Sequence, residues 1–342
     1  MKNSQNYILC IGGGKDVPYL LKKISKNYKI VLVDQNINAP AKKYSNIFIN
    51  CSYFDFKKIY NDLKKNKIHN LIKSIIFRST GEITFKIQKL FKMLKIEYMP
   101  KKSAKILTYK NELVNFCNKN NILTPHTFRK IDNNIFQKYS TLLIKPALAS
   151  GKRGIKIVKN NKNLHKAINL SKSLSANKKA LIQSFVEGRD IGLIGQCIKN
   201  KFEKIFFMEE FMDLKKKRIY LKSIMAQPNI DLKQKLKCIS IAKKICKTLK
   251  IKKSQINFQF KVSDKQIYLI EVHLNFPGDQ ILENLYSGFK KDILKYQLQN
   301  FIDNKNASYN FKFKNLKIYF YWNKLKKNRK KNFYLKKNVK YI

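Results

Sequence analysis

Two apolar runs, INFQFKV (residues 256–262) and IYLIEVHLNFPGD (residues 267–279), flank the polar link SDKQ, and the way they pair decides the fold. Alternating runs across so short a link predict an antiparallel hairpin, whose register follows from the side chains it sets opposite each other. If partner numbers sum to 530, Phe258 faces Val272, Phe260 faces Ile270 and Val262 faces Tyr268 on one apolar face. The other face then sets Gln259 opposite Glu271 and Asn257 opposite His273. A shift of one residue puts Glu271 beside Phe258, which costs several kcal/mol for an unpaired carboxylate. The first register is therefore expected. Its polar face gathers oxygen donors that suit a hard divalent cation such as magnesium; a solvent-facing strand surface would carry the same residue types.

Carboxylates are scarce in this chain: 21 Asp and Glu stand against 73 Lys and Arg, a formal charge of +52 over 342 residues. Such a charge suggests a polyanion partner. The lysines, however, are spread through every segment with Asn and Ile, and the one dense block is the tail KLKKNRKKNFYLKKNVKY (324–341). Specific nucleic-acid binders cluster their cations on one face, so the distribution argues against nucleic acid. Six cysteines lie far apart without a CxxC pair, so neither a zinc site nor a disulfide framework is signalled. No apolar run has the length of a membrane span, and a cytoplasmic protein is expected.

Residues 7–100 alternate short apolar runs (YILCI, KIVLVD, IFIN, IKSIIF) with amphipathic segments, which predicts a Rossmann-like parallel sheet. Its Gly12-Gly13-Gly14 turn lacks the dinucleotide fingerprint, because Val17 stands where the third glycine belongs; a structural turn is expected. A helical stretch over 104–122 leads to ILTPHTF. TLLIKP (141–146), ASGKRG (149–154) and IKIV (155–158) then read as strand, glycine loop, strand. That order is not a Walker loop, which needs a following helix and a Ser or Thr after Lys152. ALIQSFV (180–186) reads as a strand. Residues 230–251 read as a helix capped by Asp231, with Leu232, Leu236, Ile239, Ala242, Ile245 and Leu249 on one face.

The order of these segments resembles the ATP-grasp superfamily over roughly residues 7–300, and NFQF followed by YLIEV is similar to the metal hairpin of carbamoyl-phosphate synthetase domains. The resemblance implies an α/β and α+β protein: a Rossmann-like domain (1–103), a small lobe with a glycine flap (104–180), a large lobe with the metal hairpin (181–302), and a basic tail (303–342). By the same resemblance Lys110 and Lys145 are the nucleotide-binding lysines, and Ser150, Gly151 and Gly154 form the flap over the phosphates. Gln183 stands where the family has glutamate, the backbone near Val186 reads adenine, and Asp190 meets the ribose or substrate side. Gln259, Glu271 and His273 are the implied metal ligands, and Glu271, Lys145 and Asn275 the catalytic group. Three departures are visible: His273 replaces an amide, which favours manganese or zinc over magnesium, Asn275 replaces an arginine, and MEEFMDLKKKRIYLKS (208–223) lacks the loop that handles bicarbonate in carbamoyl-phosphate synthetase. Lys215, Lys216, Lys217 and Arg218 are nearby cations able to replace that charge, and Pro277-Gly278-Asp279 supplies the turn after the hairpin.

The function so implied is an ATP-dependent carboxylate–amine or carboxylate–thiol ligase working through an acyl phosphate, with ATP and Mg2+ or Mn2+ as cofactors. Its partners would be a small carboxylate and an amine; a homodimer is compatible. Gly13, Asp34 and Arg78 are candidates for the acceptor pocket. Bicarbonate activation through carboxyphosphate is the alternative reaction, and polyanion binding on a relic ATP-grasp scaffold the alternative outside enzymes.

Overall fold

A computed structural model describes residues 6–132, 134–149, 152–215, 218–278, 281, 292–305, 316–321 and 332–334. Ser150, Gly151, Lys216, Lys217, Asp279 and most of the basic tail lie outside them.

The N-terminal part lays down β1 (Tyr7–Ile11), α1 (Val17–Ile24), β2 (Lys29–Asp34), β3 (Ile47–Asn50), α2 (Phe56–Lys65) and β4 (Ile72–Phe77). These strands form a parallel sheet in the order β3-β2-β1-β4. Consecutive residues of β1 and β2 are buried, so both faces of these strands are covered, with Ile8, Leu9, Ile11, Ile30 and Leu32 fully buried. Asp55 caps α2 by accepting from the Lys58 amide at 3.0 Å. Short helices α3 (Ile83–Lys86) and α4 (Gln88–Met93) follow, then α5 (Lys101–Thr108) and α6 (Lys110–Lys119). Ala104, Leu107, Leu113 and Cys117 of the last two bury into the same core as the parallel sheet.

The small lobe holds α7 (Ile135–Lys138), β5 (Leu142–Pro146), β6 (Lys156–Val158), α8 (Asn161–Ser173) and β7 (Ala180–Ser184). Its antiparallel sheet runs β6-β5-β7, so the strand, loop, strand reading of 141–158 holds. The large lobe follows with β8 (Arg189–Ile198), β9 (Lys201–Lys215), β10 (Arg218–Ala226), α9 (Leu232–Thr248), β11 (Ser254–Val262), β12 (Ile267–His273), α10 (Ile293–Asp303), β13 (Leu316–Tyr321) and β14 (Asn332–Tyr334). Its sheet order is β12-β11-β8-β9-β10-β13-β14. Helix α10 reaches back to the N-terminal part, where Asp292 pairs with Lys23 at 2.6 Å and Asp303 with Lys73 at 2.8 Å.

Two sequence expectations are corrected here. Helix α9 begins with the Asp231–Gln234 capping box, but its buried face is Cys238, Ile241, Ala242, Ile245 and Cys246. Leu232 and Leu236 stay 70% and 56% exposed, because the first turns carry no buried residue against the sheet. The hairpin register holds only as far as Gln259: Asn257 pairs with His273, Phe258 with Val272 and Gln259 with Glu271. A bulge then shifts the ladder, so Phe260 meets Leu269 and Val262 meets Ile267. Leu269 takes the core position and is 1% exposed. Ile270, expected on the core face, turns with Glu271 toward the cleft, the re-aiming that bulges permit.

Candidate active site

Between the small-lobe sheet and the large-lobe sheet lies a cleft of about 390 Å3. Its lining combines apolar side chains, among them Ile157, Phe185 and Met212, with the polar groups Lys110, Lys145, Lys152, Glu210, Gln259 and Glu271, and Lys152 Nζ lies 3.1 Å from the Met212 sulfur. Regular strands position most of these groups. Lys145 stands on β5, Asp190 on β8, Glu210 on β9, Gln259 on β11 and Glu271 on β12.

Lys110 opens α6, whose first amide is tied to the Ala147 carbonyl at 3.3 Å. Its Nζ lies 3.0 Å from Glu271 Oε2 and donates to the Ala149 carbonyl at 3.3 Å. The other Glu271 oxygen lies 3.3 Å from His273 Nε2. Burial pushes the Glu271 carboxyl up, but Lys110, His273 and Lys145 together outweigh it and hold the group well below the usual carboxylate range. Lys145 is 3% exposed. Burial, with Lys110 beside it, lowers its ammonium to about 8 against the pull of Glu271.

Gln259, opposite Glu271, donates its amide to Glu210 Oε1 at 3.0 Å, and Glu210 Oε2 pairs with Lys152 at 2.8 Å. Asp190 faces Glu210 across the β8–β9 ladder and pairs with Lys261 at 2.9 Å. Burial raises the Asp190 carboxyl, with Glu210 adding to the rise and Lys261 and Lys152 opposing it. Gln183 is buried on β7. Its Nε2 donates to Thr127 Oγ1 at 2.8 Å, while its Oε1 has no hydrogen-bond partner among the described residues.

Of the residues expected from sequence, Lys110, Lys145, Gln183, Val186, Asp190, Gln259 and Glu271 line this one cleft. Gly154 holds a left-handed turn at φ +76, where a Cβ would come within 2.8 Å of Pro146. His273 lines a second compartment of about 40 Å3 with Thr80, Gly81, Thr84 and Thr108; Lys110 and Glu271 border both spaces. Asn275 is 7% exposed and donates to the Arg78 carbonyl at 2.8 Å, so its amide ties the hairpin's exit to the end of β4. Arg78 in turn donates to the Asp16 carbonyl at 2.6 Å. Asp34 accepts from the Gly13 and Asn36 amides, at 2.6 and 2.7 Å, and so shapes its own turn.

Sequence reasoning missed Lys152 and Glu210. A lysine in this chain carries little information, but Glu209-Glu210 within a strand did carry a signal. Alternation must send the two carboxylates to opposite faces, and Glu209 goes to Arg189, at 2.9 and 2.5 Å, away from the cleft.

Residues 107–275 match the family model of the ATP-grasp domain. A search of curated proteins finds no match. Among solved structures, an L-amino acid ligase from Bacillus licheniformis is similar with a TM-score of 0.71 at 14% identity, over 92% of this chain and 80% of that one. An N5-carboxyaminoimidazole ribonucleotide synthetase from Thermotoga maritima gives 0.69 at 15% identity, over 93% and 80%. A biotin carboxylase from Campylobacter jejuni gives 0.69 at 14%, over 90% and 73%. At these identities the likeness is one of fold.

Proposed function

Residues 107–275 match the ATP-grasp domain, and from that premise we propose that the chain is an ATP-dependent ligase joining a carboxylate to an amine through an acyl phosphate. The observation that carries the reading is the convergence of Lys110, Lys145, Gln259 and Glu271, from four different elements, on one cleft.

In this reading adenine lies against the apolar side chains Ile157 and Phe185, near Gln183. Its amino group donates to the orphaned Gln183 Oε1, and the backbone at Val186 reads the ring edge. The triphosphate points toward Lys110 and Lys145. A nearly dry lysine whose ammonium is already destabilised gains most from a phosphate partner. The Glu271 carboxylate and the Gln259 amide oxygen, with Glu210 behind, are an all-oxygen set that fits magnesium or manganese. Bound there, the cation would neutralise phosphate charge.

A carboxylate oxygen of the acid attacks the γ-phosphorus in line, and the bond to the bridging oxygen breaks as ADP leaves with its electron pair. The amine nitrogen then attacks the acyl carbon, and phosphate departs. Lys110 and Lys145 hold the reacting charges in place, so the chemistry is mostly positioning. His273 steadies Glu271 from the side opposite Lys110, and Asn275 holds the hairpin against the N-terminal domain.

A screen of amino acids, dipeptides and small carboxylates for stimulated release of phosphate from Mg-ATP tests this. An acid that stimulates release, with coupling to an amine, is expected; no stimulation by any acid or amine pair would remove the reading. The compartment of about 40 Å3 beside Glu271, space for roughly three water-sized groups, favours a second reading in which the acid is bicarbonate. Phosphate release with bicarbonate alone would select it.

A further inference from the structure

Glu210 stands behind the oxygens offered to the cation and contacts both walls of the cleft. Its side chain is 9% exposed and both oxygens are engaged. Oε1 accepts from Gln259 Nε2 at 3.0 Å, and Oε2 pairs with Lys152 Nζ at 2.8 Å. Gln259 belongs to β11 of the large lobe. Lys152 belongs to the connection between β5 and β6 of the small lobe, where it holds a left-handed backbone at φ 56.

A glutamine amide can offer a cleft either its oxygen or its NH2, and only the oxygen binds a cation. An ionised carboxylate is an acceptor alone, so Glu210 can engage only the NH2 end of Gln259. The carbonyl oxygen is then the end left for the side of the cleft where Glu271 stands opposite in the ladder. Asp190, the neighbouring carboxylate, stands opposite Lys261 rather than Gln259 on the β8–β11 ladder and pairs with that lysine at 2.9 Å.

We propose that Glu210 is a positioning residue that orients the Gln259 amide for a divalent cation and, at its other oxygen, holds the Lys152 ammonium at the cleft. The inference rests on the ligase reading above. Groups that orient metal ligands commonly alter metal affinity by about tenfold or more when removed, and the two contacts of Glu210 separate in an experiment that needs no turnover.

ADP binding to the full chain is measured by calorimetry with and without Mg2+. Glu210→Met, which fills the space without an acceptor, should cut the tightening by Mg2+ about tenfold. Glu210→Gln restores an acceptor for Gln259 and should recover part of the tightening. Lys152→Met should weaken ADP by the same factor with and without Mg2+. If Glu210→Met does not fold, as its melting temperature would reveal, Glu210→Ala is the second variant. Full Mg2+ tightening in a folded variant lacking the 210 acceptor overturns the proposal. Failure of the unaltered protein to bind ADP in either condition is a separate outcome, which removes the ligase reading itself.

Discussion

The two walls of the cleft are built differently. On one side a continuous core runs from Ile8 of the parallel sheet, through Leu107 and Leu113, to Phe258, Phe260 and Ile302 of the large lobe. On the other, the small lobe has its own core of seven described residues: Ile135, Leu142, Ile144, Val158, Leu164, Ala167 and Ile168. A patch of Val114, Ala147 and Leu181 joins it to the rest, and the Lys152–Glu210 pair reaches across the cleft. Burial stabilises by roughly 25 cal/mol per Å2, so the wall with the larger core is the stiffer. It carries Gln259 and Glu271, whose mutual position the ligase reading requires to be kept. The other wall carries Lys145, which on the ligase reading would meet the nucleotide's phosphates.

The largest effect expected from this division falls on the rigid wall. Glu271→Ala should lower acid-stimulated ATP turnover by about 10²-fold or more in a chain that still folds, with a lower melting temperature because Lys110 and the buried Lys145 lose their counter-charge. Turnover within a few-fold of the unaltered protein would show that the charge on this strand is not the one that matters.

Core truncations should then tell the walls apart. Phe258→Ala, in a fully buried position of the large core, should cost about 3–5 kcal/mol and lower the main melting transition. Leu142→Ala, equally buried in the small lobe, should cost about 2–5 kcal/mol but split the melt. The small lobe would open first and ADP binding would fail while the large sheet keeps its circular dichroism. A single transition for both variants would mean that the lobes unfold as one unit. A smaller effect of the same origin should appear in amide exchange, with β5–β7 exchanging faster than β8 and β11 and the gap narrowing when Mg-ADP is added.

This division was only partly legible in the sequence. The strand runs and the Gln259–Glu271 pairing could be read because a misplaced carboxylate beside Phe258 is expensive, so local chemistry excludes the other register. The bulge after Gln259 could not, because it depends on Leu269 fitting a core position supplied by the tertiary packing. Leu232 and Leu236 of α9 keep helical spacing but find no partner surface, and periodicity records spacing alone. The adjacent pair Glu209-Glu210 signalled that one carboxylate faces the cleft, but the contacts of Glu210 could not be read, because its partners lie 49 and 58 positions away in the chain. The resemblance to ATP-grasp proteins placed Asn275 among the catalytic residues; the structure commits its amide to the Arg78 carbonyl.

The smallest expected effect tests the seam that joins the rigid wall to the N-terminal part. Lys253, just before β11, is 2% exposed, with its Nζ 4.7 Å over the Phe301 ring. Burial lowers its ammonium from 10.5 to about 8, with Lys73 adding to the fall and Glu97 and Asp303 opposing it. Below about pH 8 the folded chain holds this charge at a cost, and the unfolded chain holds it freely. From about 8 to 10.5 the unfolded state binds more protons, so stability rises with pH and the cost fades. Lys253→Met removes that cost but also the cation–π contact, worth about 0.5–2 kcal/mol. The variant should therefore melt about 2 °C higher at pH 7, with the advantage shrinking by pH 9.5. A variant less stable at pH 7 would mean that the contact with Phe301 outweighs desolvation, and that this seam is held by the buried cation rather than in spite of it.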